Sequence, residues 1–509
     1  MPFKKIIYSL IIIIGFTVTA SSLIVFALPN LEQSSNYNPQ PEIKGATKVT
    51  LEFWGLWDNS DDWREIIDRY EKEKHYFEGR ETEVEINYFK KTPADYERDL
   101  KNAFEKNQAP DIFMVNQNWL PRYLNYLEPL PNDNISQENY QLVSYKELID
   151  NYPAQLVNDI IYPQLSPYRK RTEKDNKNSN TLPPFSQERD SENQIYSLPF
   201  YSDSLALFYN KDIFERAEID HPPATWKEFK ETVKKLTKFD RKNNFIQTGA
   251  AIGGGKNINR SSDLLALLMM QNGASVINRN SKVDINREII VNTPNGTEER
   301  EAGKMAINFY TDFANPDSKF YTWNNKQENS IDAFANGKTA MMFNYQYQTK
   351  NLLVKNPELN YGIAPMVQIE NSTPINFSNY WLPVVKKDSP ATKNSSVFKK
   401  TETPDTAKIA WSFLSFASRP ENVALYLNST GKAAARNNLI AEQIKLNNFT
   451  SIFAAQAASA RSFYKPDNQI DFVLEEMIDK INSNRENWEK IVDESVEKIE
   501  KIFSFQFLK

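Results

Sequence analysis

Residues 195–236, with the sequence IYSLPFYSDSLALFYNKDIFERAEIDHPPATWKEFKETVKKL, decide how this chain is interpreted. An apolar run at residues 205–209 is typical of a strand, and two prolines further on precede the motif TWKE. In that motif the Thr225 hydroxyl can accept a hydrogen bond from the backbone N–H of Glu228, while the Glu228 carboxylate reaches back to the start of a helix. The pattern predicts a strand, a loop and a capped helix. By itself that order fits many α/β proteins and says nothing about function.

Strand and helix patterns alternate on the N-terminal side of this stretch. Apolar residues alternate over 49–53, recur at helical spacing over 63–70, alternate again over 84–88, recur at helical spacing over 96–104 and end in an apolar run over 110–115. Because crossovers between parallel strands are almost always right-handed, this β-α-β-α-β order predicts parallel strands in one sheet. Ligands of such sheets bind beyond the carboxyl ends of the strands.

Composition limits both the architecture and the chemistry. The chain has 509 residues, of which 40% are apolar, and this length predicts at least two lobes, each with its own core. Its 61 Lys and Arg residues against 66 Asp and Glu residues argue against nucleic acid or an anionic membrane as the partner. With no cysteine and with only His75 and His221, the sequence offers no disulfide, thiol nucleophile, lipid-modified cysteine or His-rich metal site. We therefore expect a small-molecule or protein partner and neither a cofactor nor a metal, with a site built only from carboxylates as the remaining metal alternative.

The N-terminus has the pattern of an export signal. Residues 6–28 carry no charge and follow Lys4 and Lys5. Small residues allow cleavage after Ala20 or Ala27, whereas the full apolar run is long enough for an uncut anchor, since a spanning helix takes ~20 residues. Residues 1–30 are thus interpreted as a signal peptide or membrane anchor. The polar residues 31–48 are interpreted as a flexible stalk.

Five separated stretches together carry a resemblance to a known family. They are residues 195–236, the PDI of residues 110–112, the DAFANGKTAMM of residues 332–342, the YGIAP of residues 361–365, and residues 407–436 with their Thr-Gly turn. In this order they resemble bacterial extracellular solute-binding proteins of ABC importers, the class that contains maltose-binding protein. The resemblance extends from about residue 49 to about residue 439.

The resemblance implies a type II-like periplasmic-binding-protein fold, in which two α/β lobes with parallel-rich sheets close on a solute. Lobe one would comprise residues 49–200 and 381–435, and lobe two would comprise residues 201–380 and 436–509. The polar, charged residues 164–194 are predicted to be a mobile insertion. The family further implies a non-catalytic, monomeric receptor at the outer face of the cytoplasmic membrane, which captures a polar solute, expected to be a carbohydrate, and delivers it to a membrane permease.

Strand ends and the family's positions suggest where solute would bind. Aromatic rings can cover the C–H face of a sugar, and Asp and Asn side chains can bond its hydroxyls. The candidate binding residues are Trp54, Trp57, Asp58, Asn116, Asn118, Trp119, Tyr201, Asp203, Arg260, Tyr345, Tyr347, Tyr380 and Trp381. For a single Trp or Tyr, core packing is the competing interpretation. Asp58 and Asp203 could also serve as turn or capping residues.

Two departures from the family pattern leave the ligand open. Tyr345-Gln346-Tyr347 stands where many members have Gly-x-Trp, and Ser378-Asn379-Tyr380 replaces a glycine pair. These bulkier groups should narrow the pocket, so a peptide or another polar solute competes with a sugar. A secreted glycosidase with two carboxylates across an aromatic cleft and a solute-sensing subunit are further alternatives. The GGGK of residues 253–256 lacks the Ser or Thr of a phosphate loop, and we expect a flexible loop lining lobe two.

Overall fold

The computed structural model describes residues 47–77, 80–131, 142–163, 193–276, 283–293, 296–387, 405–462 and 468–506. The predicted export segment 1–30, residues 31–46 of the predicted stalk and residues 164–192 of the predicted insertion lie outside the described residues. Asn193 and Gln194, which were assigned to the insertion, form part of a short strand. Within the described ranges, no helix combines the length and the apolar character that crossing a membrane requires.

The described residues form strands and helices that alternate along the chain. The strands are β1 (Thr47–Gly55), β2 (His75–Phe77), β3 (Arg80–Lys90), β4 (Ile112–Asn116), β5 (Ile161–Pro163), β6 (Asn193–Ile195), β7 (Ala206–Asn210), β8 (Lys238–Phe239), β9 (Phe245–Gln247), β10 (Ile289–Thr293), β11 (Gly296–Arg300), β12 (Met341–Asn344), β13 (Tyr361–Ala364), β14 (Asn376–Phe377), β15 (Trp381–Val385) and β16 (Ala460–Arg461). The helices are α1 (Ser60–Lys72), α2 (Tyr96–Glu105), α3 (Leu120–Tyr123), α4 (Tyr145–Asn151), α5 (Ala154–Ile160), α6 (Lys211–Arg216), α7 (Trp226–Leu236), α8 (Ser261–Gln271), α9 (Ala302–Asp312), α10 (Ser330–Ala335), α11 (Gln348–Lys355), α12 (Thr406–Ala417), α13 (Pro420–Thr430), α14 (Asn437–Lys445), α15 (Phe449–Gln456), α16 (Asn468–Ser483) and α17 (Trp488–Gln506).

The first sheet has the strand order β15-β4-β1-β3-β2. Strand β1 pairs in parallel with β3 and with β4, as the alternating pattern predicts. Strands β15 and β2 are antiparallel to their neighbours. Because β1 and β4 end at the same edge, the residues that follow them lie close together in space.

The segment that decides the fold forms the elements its sequence predicts. Residues 206–210 are the strand β7, and the capping box at α7 is present. The Glu228 backbone N–H donates to Thr225 Oγ1 at 3.2 Å, and the Thr225 N–H donates to Glu228 Oε2 at 3.3 Å. Helix α7 buries Trp226, Phe229 and other apolar side chains of one face.

The second sheet has the order β12-β7-β13. Here β7 pairs antiparallel with both neighbours, so parallel pairing is a property of the first sheet and not of this one. All four residues of β12 are buried. Four of the five residues of β7 are buried as well. The continuous apolar run at residues 205–209 reflects this burial of β7, because a strand covered on both faces does not need a polar side.

Two connecting segments run between the sheets and are hydrogen-bonded to each other. The Leu205 N–H donates to the carbonyl of Phe377 at 3.1 Å, and the Asn379 N–H donates to the carbonyl of Asp203 at 2.9 Å. Ser204 and Ser378 form an antiparallel bridge between the same segments. The chain thus crosses between the sheets along a shared two-stranded ribbon.

The described residues form two clusters of buried apolar side chains, the first of which extends from the first sheet into β7, β12 and β13 of the second. The first contains Phe53, Trp63 and Trp411, together with Leu439 and Phe453 from α14 and α15. The second contains residues of β7, α8 and α9 together with the apolar stripe of α17. That C-terminal stripe therefore packs on its own chain. The residue boundaries of the two predicted lobes stay a prediction.

Candidate functional site

A cavity of about 670 Å³ lies between the two sheets. It is lined on one side by residues that follow β1 and β4 and that begin β15, and on the other by residues near the start of α8 and after β12. Eleven of the thirteen candidate residues line it, namely Trp57, Asp58, Asn116, Asn118, Trp119, Tyr201, Asp203, Arg260, Tyr345, Tyr347 and Trp381. Its volume falls in the range of pockets that hold small molecules.

Trp381 is the centre of an aromatic wall on the first side. Its ring meets those of Trp57, Tyr96 and Trp119 edge-to-face, with centroid distances of 5.9, 6.1 and 5.0 Å. Tyr96 is fixed because its hydroxyl donates to the Met114 carbonyl at 2.7 Å. Trp57 is 48% exposed. The wall therefore offers a preorganised apolar surface to a ligand.

Asp58 and Lys432 form an ion pair on the same side of the cavity. Lys432 Nζ lies 2.5 Å from Asp58 Oδ1, and the Tyr426 hydroxyl donates to Asp58 Oδ2 at 2.8 Å. The ammonium also lies 4.0 Å from the ring centroid of Tyr201. Burial lowers the pKa of Lys432, and the Asp58 carboxylate opposes that shift. Asp58 is thus held by two protein donors, and one face of Tyr201 is covered by a cation.

Asparagine side chains form the polar part of the cavity beside β4. Asn116 Nδ2 donates to Asn379 Oδ1 at 2.7 Å, and Asn116 Oδ1 accepts from the Asn118 N–H at 3.0 Å. Asn118 is only 6% exposed, and its side-chain oxygen has no hydrogen-bond partner among the described residues. A buried acceptor without a donor is costly. Asn118 lines the cavity, but this oxygen is itself enclosed by protein.

Arg260 and two tyrosines form the opposite wall. Arg260 Nε and Nη2 donate to the Tyr347 hydroxyl at 3.2 and 3.1 Å, and the Tyr345 hydroxyl donates to Asp263 Oδ2 at 2.8 Å. The rings of Tyr345 and Tyr347 are stacked, with centroids 6.2 Å apart. Arg260 has a φ of 65°, a strained conformation for a residue other than glycine and one often found at functional sites.

Hydrogen bonds cross the cavity near its rim. Gln346 Nε2 donates to the carbonyl of Gly431 at 2.6 Å and to Thr450 Oγ1 at 2.8 Å. Lys350 Nζ donates to the carbonyl of Thr430 at 3.0 Å. These contacts tie the residues that follow β12 to the end of α13 and the start of α15.

Asp203 lies where the first connecting segment meets the cavity. Its Oδ1 accepts from the backbone N–H groups of Ser204 at 2.8 Å and Gln346 at 3.2 Å. Burial raises the pKa of Asp203 to about 7, against the lowering effect of these two donors. The carboxyl therefore keeps its proton in mildly acidic solution.

This raised pKa predicts a pH dependence of stability. Between its ordinary pKa of 3.8 and about 7, Asp203 binds a proton in the folded state and has lost it in the unfolded state. The free energy of unfolding should therefore fall as pH rises through this window, by about 1 kcal/mol per pH unit. It should level off above the folded-state pKa.

Urea unfolding of the wild type and of Asp203→Asn between pH 4.5 and 8.5 checks this dependence. The wild type should lose stability relative to Asp203→Asn toward neutral pH, because the amide, like the neutral carboxyl, does not ionise. The exposed Asp61→Asn variant is the control and should keep the wild-type slope. Parallel curves for the wild type and Asp203→Asn would contradict the shift.

Two candidates do not line the cavity. Tyr380 is fully buried, and its hydroxyl donates to Asp159 Oδ2 at 2.7 Å, so it is a core residue. Trp54 is partly buried under Lys91, whose Nζ lies 3.5 Å from the ring centroid. The glycine loop at residues 253–256 does not line the cavity either. It packs instead against α16, where the Gly255 N–H donates to Asp479 Oδ1 at 2.9 Å.

Several lining residues were not predicted from the sequence. They include Asp62, Pro93, Tyr96, Asp263, Gln346, Lys350, Asn379, Ser429, Gly431, Lys432 and Asp471. Some signals were available, because Gln346 lies between two predicted residues and Asn379 precedes two others. Lys432 gave no local signal, since its partner Asp58 is 374 positions away in the sequence.

Comparisons with known proteins agree with this architecture. Residues 57–424 match the model of a family described as bacterial extracellular solute-binding protein. A putative binding protein of Brucella abortus (strain 2308) is 26% identical over 171 residues, which make up 34% of this chain and 37% of the relative. The chain thus spans just over a third of the length of that curated relative.

Solved structures are similar over most of the chain. The sugar-binding protein MalE from Xanthomonas citri has a TM-score of 0.62 at 15% identity, with 90% of this chain and 98% of that chain covered. UgpB from Mycobacterium tuberculosis, solved in complex with glycerophosphocholine, has a TM-score of 0.59 at 15% identity, with 91% and 100% covered. At these identities the likeness establishes the fold alone, which is the two-lobed α/β architecture.

Proposed function

The chain belongs to the family of bacterial extracellular solute-binding proteins, and from this premise we propose that it captures a carbohydrate and delivers it to an ABC importer. The observation that carries the proposal is the cavity between the two sheets. An aromatic wall around Trp381 forms one side of this cavity, and amide and carboxyl side chains are among the groups that line the rest of it. Flat rings can cover the apolar face of a sugar, while amide and carboxylate groups bond its hydroxyls. A structural neighbour that is itself a sugar-binding protein supports the same solute class.

The candidate residues divide between the two tasks. Trp57, Trp119 and Trp381 would cover the sugar ring, and Asn116 and Asn118 would bond its hydroxyls. Asp203, Arg260, Tyr345 and Tyr347 would contact the solute from the opposite side, whereas Asp58 and Tyr201 would act through their contacts with Lys432.

The mechanism is a shift in population between open and closed lobes. The solute contacts both sides of the cavity only when the lobes are closed, so binding energy stabilises closure. The paired connecting segments can serve as the hinge, because they are the route by which the chain crosses between the sheets. No covalent step is required, and the receptor releases its solute unchanged.

Family membership implies an exported protein. We propose that it acts as a monomer at the outer face of the cytoplasmic membrane, held there by residues 6–28 or released after cleavage, and that it hands its solute to permease subunits in that membrane. Pull-down from membranes would identify the permease, and recovery of a kinase instead would favour a sensing subunit.

A panel of solutes tests the function directly. Maltose, maltotetraose, glycerophosphocholine and a tripeptide would be added to the purified protein, and the melting temperature would be measured. A solute present at 100 times its dissociation constant should add ~2.7 kcal/mol to the free energy of unfolding, because it binds only the folded state. We expect the largest shift with an oligosaccharide.

Product analysis on the same samples separates a receptor from a glycosidase. A receptor leaves maltotetraose intact after long incubation, whereas a glycosidase shortens it. A flat melting temperature across the whole panel would overturn the proposed function.

A further inference from the structure

Lys432 is directed to the cavity by the turn that ends helix α13. Gly431 follows Thr430, the last residue of that helix, and has a φ of 73°, a left-handed conformation that glycine adopts without strain. The chain reverses there, so that the Lys432 side chain returns over Tyr426 of the same helix. This side chain lines the cavity and is 21% exposed.

Two of the three N–H donors of Lys432 are engaged among the described residues. The ammonium donates to Asp58 Oδ1 at 2.5 Å and to the Tyr426 hydroxyl at 2.8 Å. Its position 4.0 Å from the ring centroid of Tyr201 limits its movement on another side. An ammonium group carries three donors, so one donor is available to an acceptor in the cavity.

The other two cations that line the cavity, Arg260 and Lys350, donate to neutral oxygen atoms of the protein. Arg260 donates twice to the Tyr347 hydroxyl, and Lys350 donates to the carbonyl of Thr430 at the rim. Asp58 uses both of its oxygens for protein donors. Lys432 is therefore better placed than its partner Asp58 to meet a solute, and Asp58 orients it.

We propose that Lys432 binds the solute directly, donating a charge-assisted hydrogen bond to an oxygen atom of the proposed carbohydrate, with Asp58 as its positioning residue. This inference rests on the proposed function and narrows its solute class. A hydroxyl or ether oxygen accepts such a bond, whereas a solute ammonium at the same place would face a like charge and be rejected.

Several ionisable groups surround the ammonium and define its response to pH. The groups that face it from the neighbouring elements are Asp58, Asp62, Tyr201, Asp203 and Tyr426. Burial lowers the pKa of Lys432 while the carboxylates oppose the change. Solute affinity should be retained below this pKa and should fall as pH rises through it, because the neutral amine loses the charge that strengthens the bond.

The experiment compares maltotetraose affinity of the wild type, Lys432→Met, Lys432→Arg and the control Lys146→Met by calorimetry from pH 7.5 to 10. Lys146 is a surface residue that pairs with Asp150 in its own helix. At pH 7.5 we expect Lys432→Met to bind about 10-fold to 100-fold more weakly, the effect of a lost hydrogen bond to a charged group. The wild type should lose affinity toward pH 10, and Lys432→Arg, whose guanidinium stays charged, should not.

A further variant separates solute binding from a purely structural role. Asp58→Asn/Lys432→Met removes both charges, so no unpaired carboxylate is left. If this double variant binds maltotetraose like the wild type, or if Lys432→Met does so alone, the inference is overturned while the receptor function stands. If the wild type binds no member of the solute panel, the proposed function fails and the inference falls with it.

Discussion

Replacing Trp381 with alanine is expected to weaken solute binding by about 30-fold or more, the effect of removing an aromatic residue that anchors an interface. Its ring is in edge-to-face contact with Trp57, Tyr96 and Trp119. The substitution therefore removes one contact surface and also releases the three rings around it. Calorimetric titration with the oligosaccharide that gives the largest melting shift would measure the loss.

Two control variants show whether the loss of affinity in Trp381→Ala comes from the aromatic ring at the cavity. Trp54→Phe changes a tryptophan of strand β1, which is separated from β15 by β4 and whose Trp54 does not line the cavity. This variant should bind within about twofold of the wild type because distant sites act independently. Trp381→Phe keeps an aromatic ring and should recover part of the affinity. Trp381→Ala with unchanged affinity would remove the aromatic wall from the binding site.

Replacing Asp58 with alanine is expected to lower the free energy of unfolding by about 3 kcal/mol, the low end for a broken buried ion pair. Asp58 is 6% exposed and accepts from both Lys432 and Tyr426. Its loss leaves an ammonium and a hydroxyl without their acceptor. The low end applies because Lys432 retains some contact with water. Urea unfolding at neutral pH would measure the change.

Asp61→Ala is the matched control for this stability measurement. Asp61 lies three positions further along the chain and pairs with Arg64 at the surface, where both side chains are largely exposed. Surface pairs contribute ~0–1 kcal/mol, so this variant should unfold almost like the wild type. Equal losses for Asp58→Ala and Asp61→Ala would mean that the Asp58–Lys432 pair contributes nothing special to stability.

The local elements could be predicted because their signals lie within a few neighbouring residues. The capping box at Thr225 and Glu228, the apolar run of β7 and the β-α-β-α-β order of residues 49–115 all appear in the structure at the expected places. The resemblance to solute-binding proteins is likewise confirmed by the family match. Most candidate residues could be assigned to one cavity because parallel strands end at the same edge of a sheet, where ligands bind.

The sequence-based selection of cavity residues wrongly included Tyr380 and missed Lys432, each for a physical reason. Adjacent residues in extended chain point to opposite sides, so Tyr380 is buried against Asp159 while Trp381 faces the cavity. The sequence names the pair without indicating which member faces the ligand. Lys432 was missed because an ion pair between residues 374 positions apart leaves no pattern in the chain.

The contact of Lys350 with Thr430 joins the two sides of the cavity at its rim. A probe placed there could report a change in the separation of the two sides. The two residues belong to segments on opposite sides of the rim, and the chain contains no cysteine. A single cysteine introduced at Lys350 would therefore be the only thiol in the protein. A fluorophore attached there would sit at the rim, where the proposed closure of the lobes would change its surroundings and turn the receptor into a reagentless optical sensor for its solute.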